Sequence, residues 1–94
     1  MFPSSPLSAI PNPSSQSVEL AFRLGAPGSV HLAIYDLGGR RIRNLLQGDA
    51  PAGDNRKTWD GLNDAGRAVP AGAYVARLEL GGAPAVTLKL MHLR

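Results

Sequence analysis

The sequence predicts an all-β protein that folds as an antiparallel sandwich of about seven short strands. Apolar and polar residues alternate in several short runs, which is the pattern of strands that bury one face only. The chain of 94 residues contains 11 Gly and 8 Pro. Turn-forming residues separate the alternating runs at intervals of roughly eight to twelve residues, a spacing typical of β-sandwiches. No stretch keeps the apolar spacing of a helix over several turns.

Composition limits the classes of protein that the chain can represent. A chain of this length forms one domain with a core of modest size. It has no Cys, which excludes a disulfide framework and thiolate chemistry. No apolar run approaches the ~20 residues of a membrane-spanning helix, and residues 1–6 lack the charged and apolar regions of an export signal. We therefore expect no membrane span, and a secreted form would be a downstream part of a longer chain.

The first part of the chain contains a linker and two clear strands. Residues 1–16 are rich in Pro and Ser, which favours extended, unpaired backbone. This stretch is predicted to be a linker or edge segment, with residues 7–10 as a short edge strand, and residues 17–94 to be the sandwich. Residues 18–24 and residues 30–35 alternate in period two. The sequence predicts that these two strands pair as a hairpin.

The remaining strand signals differ in strength. A turn at residues 36–39 precedes a more polar strand at residues 40–46, a loop at residues 48–53 and a short, charged strand at residues 54–59. Alternation is clearest from Tyr74 to Leu80. Gly81 and Gly82 then form a two-residue hairpin signal before the last alternating strand, which begins near Val86 and ends at Leu93.

A turn-rich corner at residues 59–74 joins the strand predicted at residues 54–59 to the strand that begins at Tyr74. Asp60 and Asn63 are turn formers because their side chains bond nearby backbone N–H groups, and Gly accepts positive φ. Trp59 and Tyr74 flank the corner and are two of only five Phe, Trp and Tyr residues, so we predict that they anchor the core. The predicted structural corner comprises Trp59, Asp60, Gly61, Gly66, Gly72 and Tyr74.

Residues spread over about eighty positions match a known family pattern. In chain order they are Pro11-Asn12-Pro13, residues 18–24, Gly28, residues 30–36, Gly39-Arg40, Ala52-Gly53, Trp59-Asp60-Gly61, Gly66, Val69, Gly72, Tyr74, Arg77-Leu78 and residues 89–94. Each motif alone is weak, but their order and spacing are specific. On these residues the chain resembles the FlgD-like immunoglobulin-like domain and the similar C-terminal sorting domain of type IX secretion cargo. The chain departs from the pattern at Ala73-Tyr74-Val75, where the family more often shows Val-Tyr-Phe, and at His92, which interrupts the closing apolar run.

The resemblance implies a fold and a role. The implied fold is an immunoglobulin-like antiparallel β-sandwich, found as a non-catalytic domain at the C-terminus of larger extracellular proteins. In the sorting version, the secretion machinery reads the final strand, which ends in a basic residue. The candidate sorting tail here comprises Lys89, Leu90, Met91, His92, Leu93 and Arg94. The implied partners are the secretion machinery or domains of a parent protein, and the implied location is secreted or on the cell surface.

The residues themselves indicate no catalytic or metal site. The sequence has no Gly-x-Ser-x-Gly, no phosphate-cradling Gly loop and no His-Glu-x-x-His. His31 and His92 stand in separate strands, where strand-face side chains are expected rather than a ligand pair. Asp60, Asn63 and Asp64 offer oxygen ligands, but their spacing does not fit the Asp-x-Asp-x-Asp-Gly calcium loop, and turn capping explains the same residues. We predict neither an enzyme nor a cofactor.

Two surface features suggest other ligands. A basic cluster could meet phosphate or acidic polysaccharide, and its members are Arg40, Arg41, Arg43, Arg56 and Lys57. Without interleaved aromatic rings to stack on bases, the cluster favours a solvated strand edge over nucleic-acid binding. Tyr35, Trp59 and Tyr74 could form a sugar-stacking platform, although alternation favours core packing for the last two.

Two hypotheses of function follow. The first is a non-catalytic C-terminal module of a larger exported bacterial protein, acting in secretion sorting or cell-surface attachment, with its last strand as the sorting element. A terminal edge strand can be paired by β-addition without dismantling the sheet. The alternative is a structural or carbohydrate-binding accessory sandwich that packs on a parent enzyme.

Overall fold

The computed structural model describes residues 7–11, 17–81 and 83–93, and these residues form seven strands in two antiparallel sheets. The strands are β1 (Leu7–Ile10), β2 (Val18–Leu24), β3 (Gly28–Asp36), β4 (Arg41–Ala50), β5 (Gly53–Trp59), β6 (Gly72–Leu80) and β7 (Val86–His92). One sheet has the order β1-β2-β5 and the other the order β4-β3-β6-β7. The prediction of an all-β, immunoglobulin-like sandwich of about seven strands is confirmed.

The core lies between the inner faces of the two sheets. Alternation on β2, β3 and β6 puts every second side chain inward, as the period of two predicts. Leu20, Leu32, Ile34 and Leu78 are fully buried. Because each such side chain contributes roughly 1.5–3 kcal/mol when it is buried, the facing apolar surfaces stabilise the stacking of the sheets.

Strand β1 lies at the edge of the three-stranded sheet and pairs with β2. Its first residue, Leu7, is buried in the core. The rest of the predicted linker, residues 1–6 and 12–16, lies outside the described residues. The proposed boundary between residues 16 and 17 stays a prediction.

The predicted hairpin of β2 with β3 is wrong. Strand β2 pairs with β1 and β5, with Val18 opposite Trp59, whereas β3 pairs with β4 and β6. The connection between β2 and β3 therefore crosses from one sheet to the other. Alternation identifies the face that a strand buries, but it does not identify the strand's hydrogen-bonding partner.

The predicted loop at residues 48–53 is also wrong, because β4 continues to Ala50. Gly48 and Asp49 pair with Val30 and Ser29, and Ala50 is buried. Gly48 and Asp49, which are residue types common in turns, therefore lie inside a strand. The β3–β4 register shifts at two places, and half-buried apolar residues of β4 such as Leu45 pack against the core beside these irregularities.

Strands β6 and β7 form the predicted antiparallel hairpin. Their connection covers residues 81–85 rather than two glycines, and Gly82 lies outside the described residues. Gly81 N donates to Ser29 O at 2.9 Å, which ties this connection to the start of β3. The described part of the chain includes no helix that could cross a membrane.

Candidate functional site

The corner between β5 and β6 carries the chain from the three-stranded sheet to the four-stranded sheet. Trp59 ends β5 and is 1% exposed. Its ring meets Tyr74 edge-on, with centroids 5.3 Å apart, and its Nε1 donates to Leu62 O at 2.9 Å. Packing and a hydrogen bond therefore fix the indole together, which is the usual condition for burying Trp.

Tyr74 holds the other side of the corner. It lies near the start of β6, and its hydroxyl donates to Pro70 O at 2.5 Å, four residues upstream. This is the arrangement called a tyrosine corner in immunoglobulin-like sandwiches. Burial raises the pKa of Tyr74, and the nearby Asp36 carboxylate raises it further, because both disfavour a phenolate.

The loop between Trp59 and Tyr74 is shaped by short side chains that bond the backbone. Leu62 N donates to Asp60 Oδ1 at 3.1 Å, and Asn63 Oδ1 accepts hydrogen bonds from Ala65 N at 2.9 Å and Arg67 N at 3.0 Å. Gly61 and Gly66 have φ values of 79° and 82°, which favour glycine. Gly72 begins β6.

Strand β4 forms hydrogen bonds with the same loop. Asp64 N donates to Ile42 O at 2.8 Å, and Asp64 Oδ1 accepts from Asn44 N at 2.8 Å. The Arg43 guanidinium lies 3.3 Å from Asp60 Oδ1 and also approaches the carbonyl oxygens of Leu62 and Asn63. The corner loop is therefore joined to β4 by backbone and side-chain contacts.

These contacts explain the predicted basic cluster and the candidate calcium ligands. Arg40, Arg41, Arg43 and Arg56 each form an ion pair with a carboxylate, their partners being Asp36, Asp64, Asp60 and Glu19 respectively. Asp60 and Asp64 thus meet arginines as well as backbone N–H groups. Within the described ranges, no group of three or more His, Cys, Asp or Glu residues could hold a metal ion.

His92 belongs to the aromatic cluster, which sequence reasoning missed. It is 5% exposed, and its ring centroid lies 5.2 Å from that of Trp59 and 6.1 Å from that of Tyr74. Its Nδ1 has no hydrogen-bond partner in the described part of the protein. The two-residue alternation along β7 is the signal that could have found it, because His92 shares the inward face of that strand with Leu88 and Leu90.

The predicted sorting tail has two faces. Leu90 and His92 point into the core, opposite Tyr74 and Gly72 of β6. Lys89 and Met91 point outward, and Met91 is 39% exposed. Leu93 follows β7 and is 45% exposed, whereas Arg94 lies outside the described residues. The core anchors this segment while alternate side chains stay accessible.

The structure does not support a sugar-stacking platform of Tyr35, Trp59 and Tyr74. Trp59 and Tyr74 are buried, and Tyr35 is half-buried at the end of β3. Stacking on a sugar needs aromatic faces that are exposed together, so these rings serve the core.

Two sheets, seven strands and a tyrosine corner define an immunoglobulin-like β-sandwich domain. Residues 9–83 match the family model of the FlgD Ig-like domain, and the chain belongs to that family. No curated protein matches the sequence significantly.

Solved structures show the same fold. FlgD from P. aeruginosa is 22% identical with a TM-score of 0.65, and the match covers 79% of this chain and 60% of that one. Dimeric latent PorU from Porphyromonas gingivalis is 23% identical with a TM-score of 0.75, covering 93% of this chain and 9% of PorU. PorZ, a surface component of the type IX secretion system of the same organism, is 19% identical with a TM-score of 0.63, covering 94% of this chain and 11% of PorZ. The chain therefore spans about three-fifths of this FlgD and about a tenth of the two larger proteins.

Proposed function

We propose that this chain is a non-catalytic immunoglobulin-like module of a larger exported bacterial protein, and that its closing strand acts in secretion sorting or attachment at the cell surface. The likeness to small parts of PorU and PorZ supports a module within a longer protein. The family of the chain supports a structural rather than a catalytic role. The proposed location is outside the cell or on its surface.

The observation that carries the proposal is the two-faced closing strand. Leu90 and His92 are buried beside Trp59 and Tyr74, so the strand is held in a fixed position. Met91 and Leu93 are exposed large apolar side chains. A receptor could contact these outward side chains while the inward ones remain in the core, so recognition would not require the domain to unfold.

The test separates recognition of the outward face from stability of the fold. The full chain, preceded by an export signal and a reporter, is expressed in a bacterium with a type IX secretion system. The variant Met91→Gln/Leu93→Gln alters only outward side chains. A truncation after Leu88 would be less informative, because it removes Leu90 and His92 from the core.

Ile10→Gln provides the matched control. Ile10 is 69% exposed, so it also replaces an exposed apolar side chain with Gln, but on the three-stranded sheet. We expect the double variant to accumulate in the periplasm while the control reaches the surface or the medium like the wild type. Equal export of all three proteins would remove the sorting role and leave a structural domain that packs on its parent protein.

A further inference from the structure

We propose that Asp64 blocks strand addition at the outer edge of β4, and that the strand it keeps away is β4 of a second copy of this chain. Asp64 belongs to the corner loop, which contacts β4 near its start. The inference goes beyond the proposed function, because it concerns how the module avoids pairing with itself and does not depend on secretion.

Strand β4 is a long edge strand. It lies at one edge of the four-stranded sheet and covers ten residues, more than any other strand in the described part of the protein. It also carries Ile42, Leu45 and Leu46, whose side chains are only partly buried. An edge of this kind offers backbone N–H and C=O groups to the strand of another chain, and natural proteins cover or interrupt such edges.

Asp64 takes the place of one residue of a neighbouring strand. Its backbone N donates to Ile42 O at 2.8 Å, and Asn44 N donates to its Oδ1 at 2.8 Å. In a parallel pair, a residue donates to one carbonyl of the adjacent strand and accepts from the N–H two positions further on. Asp64 forms both bonds around Arg43, with a carboxylate oxygen instead of its backbone carbonyl. The outward backbone groups Ile42 O and Asn44 N are therefore occupied.

Two arginines of β4 hold the corner loop in this position. Arg41 Nε lies 3.2 Å from Asp64 Oδ2, which leaves Asp64 Oδ1 for the backbone of β4. The Arg43 guanidinium lies 3.3 Å from Asp60 Oδ1, at the start of the loop. A strand added at this point would have to displace both arginine contacts as well as the two hydrogen bonds of Asp64.

The charges of β4 favour a second copy as the excluded strand. The charged residues of β4 are Arg41 and Arg43 near its start and Asp49 near its end. If two copies of β4 pair antiparallel about a two-fold axis at Leu45, each Arg41 stands opposite Asp49 of the other copy. Opposite charges directly across a strand pair stabilise it. Removal of the Asp64 carboxylate exposes the edge and also releases Arg41 for this contact.

Sedimentation equilibrium of the full chain tests the proposal. Asp64→Ala removes the carboxylate, whereas Asp64→Asn keeps a side-chain oxygen that can accept from Asn44 N. Asp54→Ala is the matched control, because it removes the same charge and a 3.1 Å ion pair with Arg23, but on β5. Between about 10 µM and about 500 µM, we expect the mass of Asp64→Ala to rise toward that of a dimer. The wild type, Asp64→Asn and the control should stay monomeric.

Amide hydrogen exchange locates the pairing. In the wild type, the Asn44 N–H is bonded to Asp64 and should exchange slowly at every concentration. In Asp64→Ala, the same amide should exchange at least about tenfold faster in dilute solution. It should become protected again as the dimer forms, because β4 of the other copy then covers it. Asp64→Asn should restore the wild-type exchange.

Three results would overturn the proposal. The first is a folded Asp64→Ala that stays monomeric over the whole concentration range, and the second is a dimer whose new protection lies on strands other than β4. The third is equal self-association of Asp54→Ala, since net charge would then be the cause. If Asp64→Ala does not fold, Asp64→Ser replaces it and is judged by the same results, because Ser is a turn former whose side chain is too short to reach Asn44 N. Failure here leaves the sorting role intact, since no measurement involves export.

Discussion

Replacing Trp59 with Phe tests the claim that the corner anchors the sandwich. The substitution keeps an aromatic ring beside Tyr74 but removes the indole N–H that donates to Leu62 O at 2.9 Å. Loss of that hydrogen bond costs about 1 kcal/mol. Phe is smaller than Trp by roughly 40 Å³, and a residual cavity of that size costs about another 1 kcal/mol at ~24 cal/mol per Å³.

The expected loss in the free energy of unfolding is therefore about 2 kcal/mol, from a total of roughly 5–14 kcal/mol for a domain of this size. The corresponding fall in melting temperature is about 8–16 °C. Unfolding in urea should be followed by far-UV circular dichroism, because the substitution removes the only Trp and its fluorescence.

Tyr35→Phe serves as the control, because Tyr35 is half-buried outside the corner. We expect the control to change the free energy of unfolding by less than about 0.5 kcal/mol. If Trp59→Phe also lost less than about 0.5 kcal/mol with an unchanged denaturant slope, the corner would not be the anchor that its contacts indicate.

Three further predictions concern the corner. Gly66→Ala should lower the free energy of unfolding in urea by about 1–2 kcal/mol, because Gly66 has a φ of 82°. Gly25→Ala is the control and should be neutral or slightly stabilising, because Gly25 has open space around it and no positive φ. Equal effects of the two substitutions would contradict this prediction. Burial, and to a lesser extent the Asp36 carboxylate, raise the pKa of Tyr74 in the folded state above 10.0. As the pH rises, the unfolded chain therefore loses the Tyr74 proton first. The free energy of unfolding should fall from about pH 10 up to the folded-state pKa. Tyr74→Phe should reduce this slope by up to about 1.4 kcal/mol per pH unit, and an unchanged slope between pH 9 and 11 would refute the linkage. Arg43→Gln should lower the free energy of unfolding in urea by about 1 kcal/mol, because the Arg43 guanidinium contacts three oxygens of the corner loop. Arg23→Gln breaks a well-exposed ion pair and should leave the free energy of unfolding nearly unchanged.

Alternation predicted the burial of individual strands well, because it reflects the alternating faces of the backbone itself. It placed the inward side chains of β2, β3 and β6 from the sequence alone. It did not give the sheet order, because β2 pairs with β5, and the paired residues run from Leu24 opposite Gly53 to Val18 opposite Trp59, far apart along the chain. Pairing over such a distance depends on the packing of the whole sandwich, and a local pattern cannot encode it.

The site shows the same division between local and distant causes. Turn capping by Asp60 and Asn63 is local, and residue type predicts it. The hydrogen bond from Asn44 N of β4 to Asp64 Oδ1 joins residues twenty positions apart and has no local signal. The polar side chain of His92 interrupts an apolar run in the sequence, although its position in the alternation directs it inward beside Trp59.

The most direct test of the proposed function is the extracellular fraction of a reporter fused to the full chain, compared between Met91→Gln/Leu93→Gln and Ile10→Gln in a bacterium with a type IX secretion system. Both variants lose exposed apolar side chains, and both should keep the wild-type melting temperature. Retention of the tail variant alone is the predicted result, since only its substitutions lie on the outward face of the closing strand. Equal export of the two variants would contradict a sorting role for that strand.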